Sequence, residues 1–191
     1  ATPAEELLEL PVDFESATID YNVIGFEGAE SAVVANPDAS GENTSDTVVE
    51  TTKTEGSAFF AGTAMTLDVA IDFSESESIS IKTWSPKADI PVRLKLEAAD
   101  PAVFVELDVN TTVANQWETL TWDFTGQTAG IDFVNVVLFF EFVVINKIAD
   151  DTAGFDSGLA CAVVEETANI AAAFRDLVAS GEVVLHCDPE L

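Results

Sequence analysis

Residues 78–97, S-I-S-I-K-T-W-S-P-K-A-D-I-P-V-R-L-K-L-E, decide how the rest of the chain is read. Successive side chains of a strand point to opposite faces. In 78–84, Ile79, Ile81 and Thr83 share one face, and Ser80, Lys82 and Trp84 share the other. In 92–97, Val92, Leu94 and Leu96 alternate with Arg93, Lys95 and Glu97. The intervening S-P-K-A-D-I-P reads as a turn, which predicts a hairpin. Pairing the two apolar rows side by side then gathers Trp84, Lys82, Arg93, Lys95 and Glu97 on one polar sheet face. An aromatic ring among long hydrogen-bonding side chains suits the flat, hydroxyl-rich surface of a sugar. The plain alternative is a solvated outer face where lysines offset neighbouring carboxylates.

Outward from this segment, short strand candidates follow one another. They are Leu10–Phe14, Tyr21–Phe26, Ala32–Ala35, Asp46–Thr52, Thr66–Phe73, Ser78–Trp84, Val92–Glu97, Phe104–Val109, Glu118–Phe124 and Val134–Val144. Loops such as N-P-D-A-S-G-E-N-T-S and T-G-Q-T-A-G separate them. Short strands at this spacing predict an all-β, antiparallel two-sheet sandwich over 10–145, after a lead-in at 1–9. Residues 146–191 change character. Val163, Thr167, Ile170, Phe174, Leu177 and Val178 recur at helical spacing ahead of Gly181, which predicts a C-terminal helical appendage at about 162–180.

The 191 residues carry 35 acidic and 7 basic side chains, a net charge of −28. Four of those seven cations lie in 82–95. Such a field repels nucleic acid and anionic lipid, so neither is expected as a general partner, while divalent cations are favoured. With 48% hydrophobic residues the chain has the material for a core. The run 133–145 is too short to span a membrane and is interrupted by Asn135 and Glu141. A first residue other than methionine fits removal of an export signal or simple trimming, and a secreted or cell-surface location is expected. Cys161 and Cys187 could form one disulfide.

Seven segments in order carry a resemblance. They are L-P-V-D-F-E (10–15), N-P-D-A-S-G-E-N-T-S (36–45), V-V-E-T-T-K-T (48–54), F-F-A-G (59–62), W-S-P-K-A-D-I-P-V-R-L-K-L-E (84–97), W-E-T-L-T-W-D-F (117–124) and V-L-F-F-E-F (137–142). Together they resemble a jelly-roll accessory module of secreted bacterial polysaccharide-degrading enzymes and cell-surface proteins. The resemblance implies a carbohydrate-binding-module architecture, stabilised by calcium, with Glu15 at a position such modules use for the ion. Two departures stand out. Phe60 occupies a position where those modules carry Trp, and the chain beyond Phe142 does not continue into their aromatic, Asp-Asp closing strand.

Hard cations want several oxygen ligands, including loop carbonyls. Asp38 and Asn43, in the loop after Asn36, are candidate partners of Glu15 in a calcium site; the alternative is that they shape Asx turns. Trp122 alternates with Leu120 and Phe124 and is expected in the core, with Trp117 covering an edge. Catalysis is not expected. Tyr21 and His186 are the only Tyr and His, far apart in sequence, and among 35 acids no carboxylate pair is singled out. The expected function is a non-catalytic carbohydrate-binding module that holds polysaccharide on a sheet face. The alternative is a self-assembling subunit of an extracellular filament, tube or surface layer, built on the same sandwich.

Overall fold

The computed structural model describes residues 6–54 and 56–142. Nine strands carry the described residues, all paired antiparallel: β1 (Ile24–Phe26), β2 (Ala29–Ala35), β3 (Thr47–Lys53), β4 (Gly62–Thr66), β5 (Ser78–Trp84), β6 (Pro91–Ala98), β7 (Phe104–Asn110), β8 (Trp117–Asp123) and β9 (Phe133–Phe140). Among the described residues there is no helix, and the all-β, sandwich-like architecture is as expected. The expected helix at 162–180, the remainder of 146–191 and both cysteines lie outside the described residues.

Five strands form one sheet in the order β1-β4-β9-β6-β7, while β2-β3 and β5-β8 form two-stranded ladders. One apolar row of β6 builds the core: Val92, Leu94 and Leu96 are 2%, 0% and 0% exposed. Against it lie Leu120 and Trp122 of β8, followed by Phe124, at 3%, 1% and 0%. The Trp122 indole Nε1 donates to the Val92 carbonyl at 3.2 Å, giving the buried ring's one polar atom a partner on the opposite sheet.

This packing corrects the expected hairpin. β5 does not pair with β6; it pairs with β8, Ile81 opposite Leu120 and Ile79 opposite Trp122. β6 is bracketed by β7 and β9. The segment Ser85–Ile90 therefore carries the chain from one layer to the other. Thr111, 1% exposed, fastens it: its hydroxyl donates to the Lys87 carbonyl at 3.0 Å and accepts from the Ile90 amide at 3.0 Å. Two alternating strands bury their apolar rows equally well side by side or face to face, and here they face each other.

Two further strand expectations shift. Residues 10–14 contribute Val12 and Phe14 to the core margin but form no ladder, because Phe14 takes a left-handed φ of 64° and breaks the extension. Strand β4 starts at Gly62 and ends at Thr66, earlier than the expected 66–73. Residues 67–71 stay tied to β9, with the Leu67 amide donating to the Val134 carbonyl and the Ile71 amide to the Phe133 carbonyl, at 2.7 and 2.9 Å.

The β2-β3 hairpin is pinned to the five-stranded sheet by Lys53, whose Nζ donates to the carbonyls of Phe140 and Phe59 at 2.9 and 3.2 Å. Burial lowers the Lys53 pKa below the ordinary lysine value, with Glu141 pulling weakly the other way. The unfolded chain therefore holds this proton more tightly than the folded one. Relative to Lys53→Met, native stability should rise as the pH climbs towards the ordinary lysine pKa of about 10.4, as measured by urea unfolding. A flat or falling difference would show that the ammonium is not desolvated.

Gly62 permits the close approach of β4 to β9, since a Cβ there would stand 2.1 Å from the Leu138 carbonyl oxygen. Backbone crowds backbone at this point, so no side chain can swing aside. Gly62→Ala should cost about 1–3 kcal/mol or more. Unchanged thermal unfolding would refute the contact.

Candidate functional site

The crossing between layers divides the expected site in two. Trp84 and Lys82 point outward from β5-β8, whereas Arg93, Lys95 and Glu97 point outward from the five-stranded sheet. The expectation that all five share one face is corrected, because facing strands send their polar rows in opposite directions.

On the five-stranded sheet the polar row is engaged. Arg93 makes a two-pronged contact with Asp108, Nε to Oδ1 at 2.7 Å and Nη2 to Oδ2 at 2.8 Å, and its Nη1 reaches Glu106 at 2.8 Å. Its guanidinium carbon lies 3.9 Å from the Phe142 ring centre, and its side chain is only 14% exposed. The hydrogen bonds to Asp108 raise its already high pKa further. Lys95 pairs with Glu97 at 2.7 Å and stands 4.1 Å from the Phe104 ring centre. Planar charge-assisted pairs and ring stacking hold these side chains to the sheet, so they have little left for a ligand.

The same sheet also carries an aromatic row on its outside. Phe26 and Phe139 pair at 5.7 Å, Phe139 and Phe142 at 5.4 Å, Phe142 and Phe59 at 5.7 Å, and Phe59 and Phe60 at 5.1 Å. Phe60 and Ile24 are exposed.

The outer face of β5-β8 is built differently. Directly opposite partners in an antiparallel ladder point the same way, and here Trp84 faces Trp117, Lys82 faces Thr119, Ser80 faces Thr121, and Ser78 faces Asp123. Trp84 is 36% exposed. Trp117 is half-buried and its ring is fixed, because Nε1 donates to the Asp38 carbonyl at 2.7 Å. The Thr119 hydroxyl donates to Glu42 Oε2 at 2.9 Å, which draws the 36–46 loop over this end of the face. The Ser80 and Thr121 hydroxyls bond each other at 2.8 Å. At the far end, side-chain and backbone hydrogen bonds from Thr125 hold the Asp123 carboxyl below its usual range. The face thus combines two tryptophans with short hydroxyls, one lysine and the carboxyl groups of Glu42 and Asp123.

Trp117, Thr119 and Glu42 were not expected here. The signal for Trp117 and Thr119 was present in W-E-T-L-T-W. With Leu120 and Trp122 inward, the odd offset turns Trp117 and Thr119 outward. Glu42 had none, since a loop residue's reach depends on how the loop folds over the sheet.

The expected calcium donors take part in hydrogen bonds within the chain. Glu15 Oε1 accepts from the Thr47 amide at 2.9 Å and hydroxyl at 3.1 Å. Asn43 Oδ1 accepts from the Ser45 hydroxyl at 2.8 Å, and Asp38 Oδ1 accepts from the Ser40 hydroxyl at 2.5 Å. Asn36 completes the loop, its Nδ2 donating to the Ser45 carbonyl at 2.9 Å and its Oδ1 accepting from the Asp38 amide at 2.9 Å. Among the described residues, no group of three His, Cys, Asp or Glu side chains is placed to hold a metal ion. Calcium needs six to eight oxygens. Glu15, Asp38 and Asn43 shape and fasten the loop that holds Trp117.

Removing the cross-strand network should separate stability from any surface role. Arg93→Ala leaves Asp108 and Glu106 side by side on β7 without the guanidinium between them and should cost about 1–3 kcal/mol in urea unfolding. Lys82→Ala, on an exposed side chain, should stay within about 0.5 kcal/mol. Equal losses would contradict the division of labour between the two faces.

No protein-family model matches the chain, and no curated protein matches it.

Proposed function

We propose that the chain is a non-catalytic, carbohydrate-binding-module-like protein of jelly-roll type, secreted or on the cell surface, which holds a polysaccharide on the outer face of β5-β8. The observation that carries this reading is the cross-strand pair of Trp84 and Trp117, outward-facing, with Trp117 locked by the Asp38 carbonyl and Lys82 and Thr119 beside it. A fixed aromatic ring offers an apolar face to the C–H side of a sugar at small entropic cost. Lys82 donates and Glu42 accepts, the two capacities a ring of hydroxyls requires. Each sugar hydroxyl exchanges water hydrogen bonds for protein ones at little net gain, so affinity is modest. The resemblance to accessory modules of polysaccharide-degrading enzymes supports the same reading.

A second reading has its own observation. The phenylalanine row on the outside of the five-stranded sheet, ending in exposed Phe60, is the type of surface that marks protein contact. It favours a self-assembling subunit of an extracellular filament, tube or layer, with calcium screening the −28 charge between copies.

Affinity electrophoresis separates the two. Trp84→Ala should weaken retention on the bound polysaccharide tenfold or more, the loss of about 1.4–3 kcal/mol of buried aromatic surface. Arg93→Ala should leave retention unchanged. Retention indifferent to Trp84 removes the β5-β8 face from consideration. Negative-stain imaging with and without calcium tests the second reading: polymers that Phe60→Ser abolishes favour it, and monomers throughout remove it.

A further inference from the structure

We infer that the ligand of the β5-β8 face is an uncharged polysaccharide, and that chains bearing uronates or sulfates are turned away. This rests on the binding face proposed above and adds the charge class of its ligand. The argument begins with where the cations go.

Five basic side chains lie among the described residues. Lys53 is spent on the Phe59 and Phe140 carbonyls. Lys87 pairs with Glu141 at 2.8 Å. Arg93 is held by Asp108 and Glu106, and Lys95 by Glu97. Lys82 remains. Among the described residues it has no carboxylate within ion-pair distance, and it is exposed on the face that carries Trp84.

One cation does not make this face a receptor for anions. The Thr119 hydroxyl opposite Lys82 orients Glu42. Asp38 lies in the stretch that anchors Trp117, and Asp123 is ionised at the other end of the ladder. A seven-residue ladder is only about 20 Å long, so a chain lying along it passes within about one screening length of carboxylates at both ends. Beyond them stands a net charge of −28. A polyanion approaching this face therefore meets repulsion at long range and more acids than bases at contact. An uncharged sugar meets neither. Its hydroxyls can donate to Glu42 and accept from Lys82, while its C–H face covers Trp84. Lys82 works here as a hydrogen-bond donor in a mixed pair with Glu42. It does not act as a charge reader of the kind built from clustered arginines.

The test is affinity electrophoresis of the full chain in gels containing a neutral glucan, a neutral galactomannan, a polyuronate or a sulfated galactan. EDTA is present so that no divalent ion bridges carboxylates. The expected result is retention by a neutral polysaccharide, changing less than about twofold between low and high salt, and lost in Trp84→Ala. Polyuronate and sulfated galactan leave mobility unchanged. Retention by either anionic chain that falls with salt and with Lys82→Gln overturns the charge class. If Trp84→Ala abolishes that retention too, the face survives and only its ligand changes. Retention by no polysaccharide, or retention indifferent to Trp84→Ala, removes the face itself and the inference with it.

Discussion

The contact between the β6 leucine row and the β8 row of Leu120 and Trp122 governs everything outward of it. Val92, Leu94 and Leu96 are sealed against these side chains, and the Trp122 indole is tied to the Val92 carbonyl across the layers. Period-two alternation leaves no freedom once that row is buried, since a slip of one residue would bring Arg93 and Lys95 inward. Burying even one such charge without its partner costs far more than any surface gain. The inward row therefore dictates that Arg93, Lys95 and Glu97 leave on one side of the molecule, and Lys82 and Trp84 on the other.

Because the chain is so acidic, each cation's placement has consequences. On β6, Arg93 faces Asp108 of β7 in register, with Glu106 two pairs along on the same face and Phe142 against the guanidinium. This concentrates opposite charges on a central strand of the larger sheet, where flanking strands shield them and the pairs are less screened than isolated surface pairs. Lys53 serves a different end, capturing carbonyls next to Phe140 so that the β2-β3 hairpin stays against the sheet. The cations among the described residues act mainly as fasteners. Lys82 is the exception among the described residues, and its neighbours are an exposed indole and hydroxyls.

Much of this was legible in the sequence, and the part that was not has a clear physical origin. Alternation in 78–84 and 92–97 correctly assigned Ile81 and Leu94 inward and Trp84 and Arg93 outward. It was silent on which strands share a sheet, because apolar rows bury equally well beside or opposite one another. Thr111 settles the matter by fastening 85–90 as a crossover, and that contact spans more than twenty residues. Gly62 reads locally as a loop residue; only the approach of the Leu138 carbonyl explains why it opens a strand. Glu15, Asp38 and Asn43 were recognised as oxygen donors, but whether such oxygens face an ion or neighbouring amides and hydroxyls is decided by loop closure. Here Thr47, Ser40 and Ser45 each donate to one of these oxygens.

The two outer faces differ in what holds them. On the five-stranded sheet, salt bridges and ring stacking satisfy every long polar side chain of β6, and what remains outside is apolar: Phe60, Ile24 and the phenylalanines between. A hydroxyl-rich ligand finds few partners there, whereas an apolar protein surface finds many. The β5-β8 face has the opposite character. Its polar groups are short and arranged around two indoles, one of them immobilised from the loop above. Two surfaces so unlike do not compete for one role. The two proposed readings therefore rest on separate surfaces, and Trp84 and Phe60 report on them independently because the core lies between.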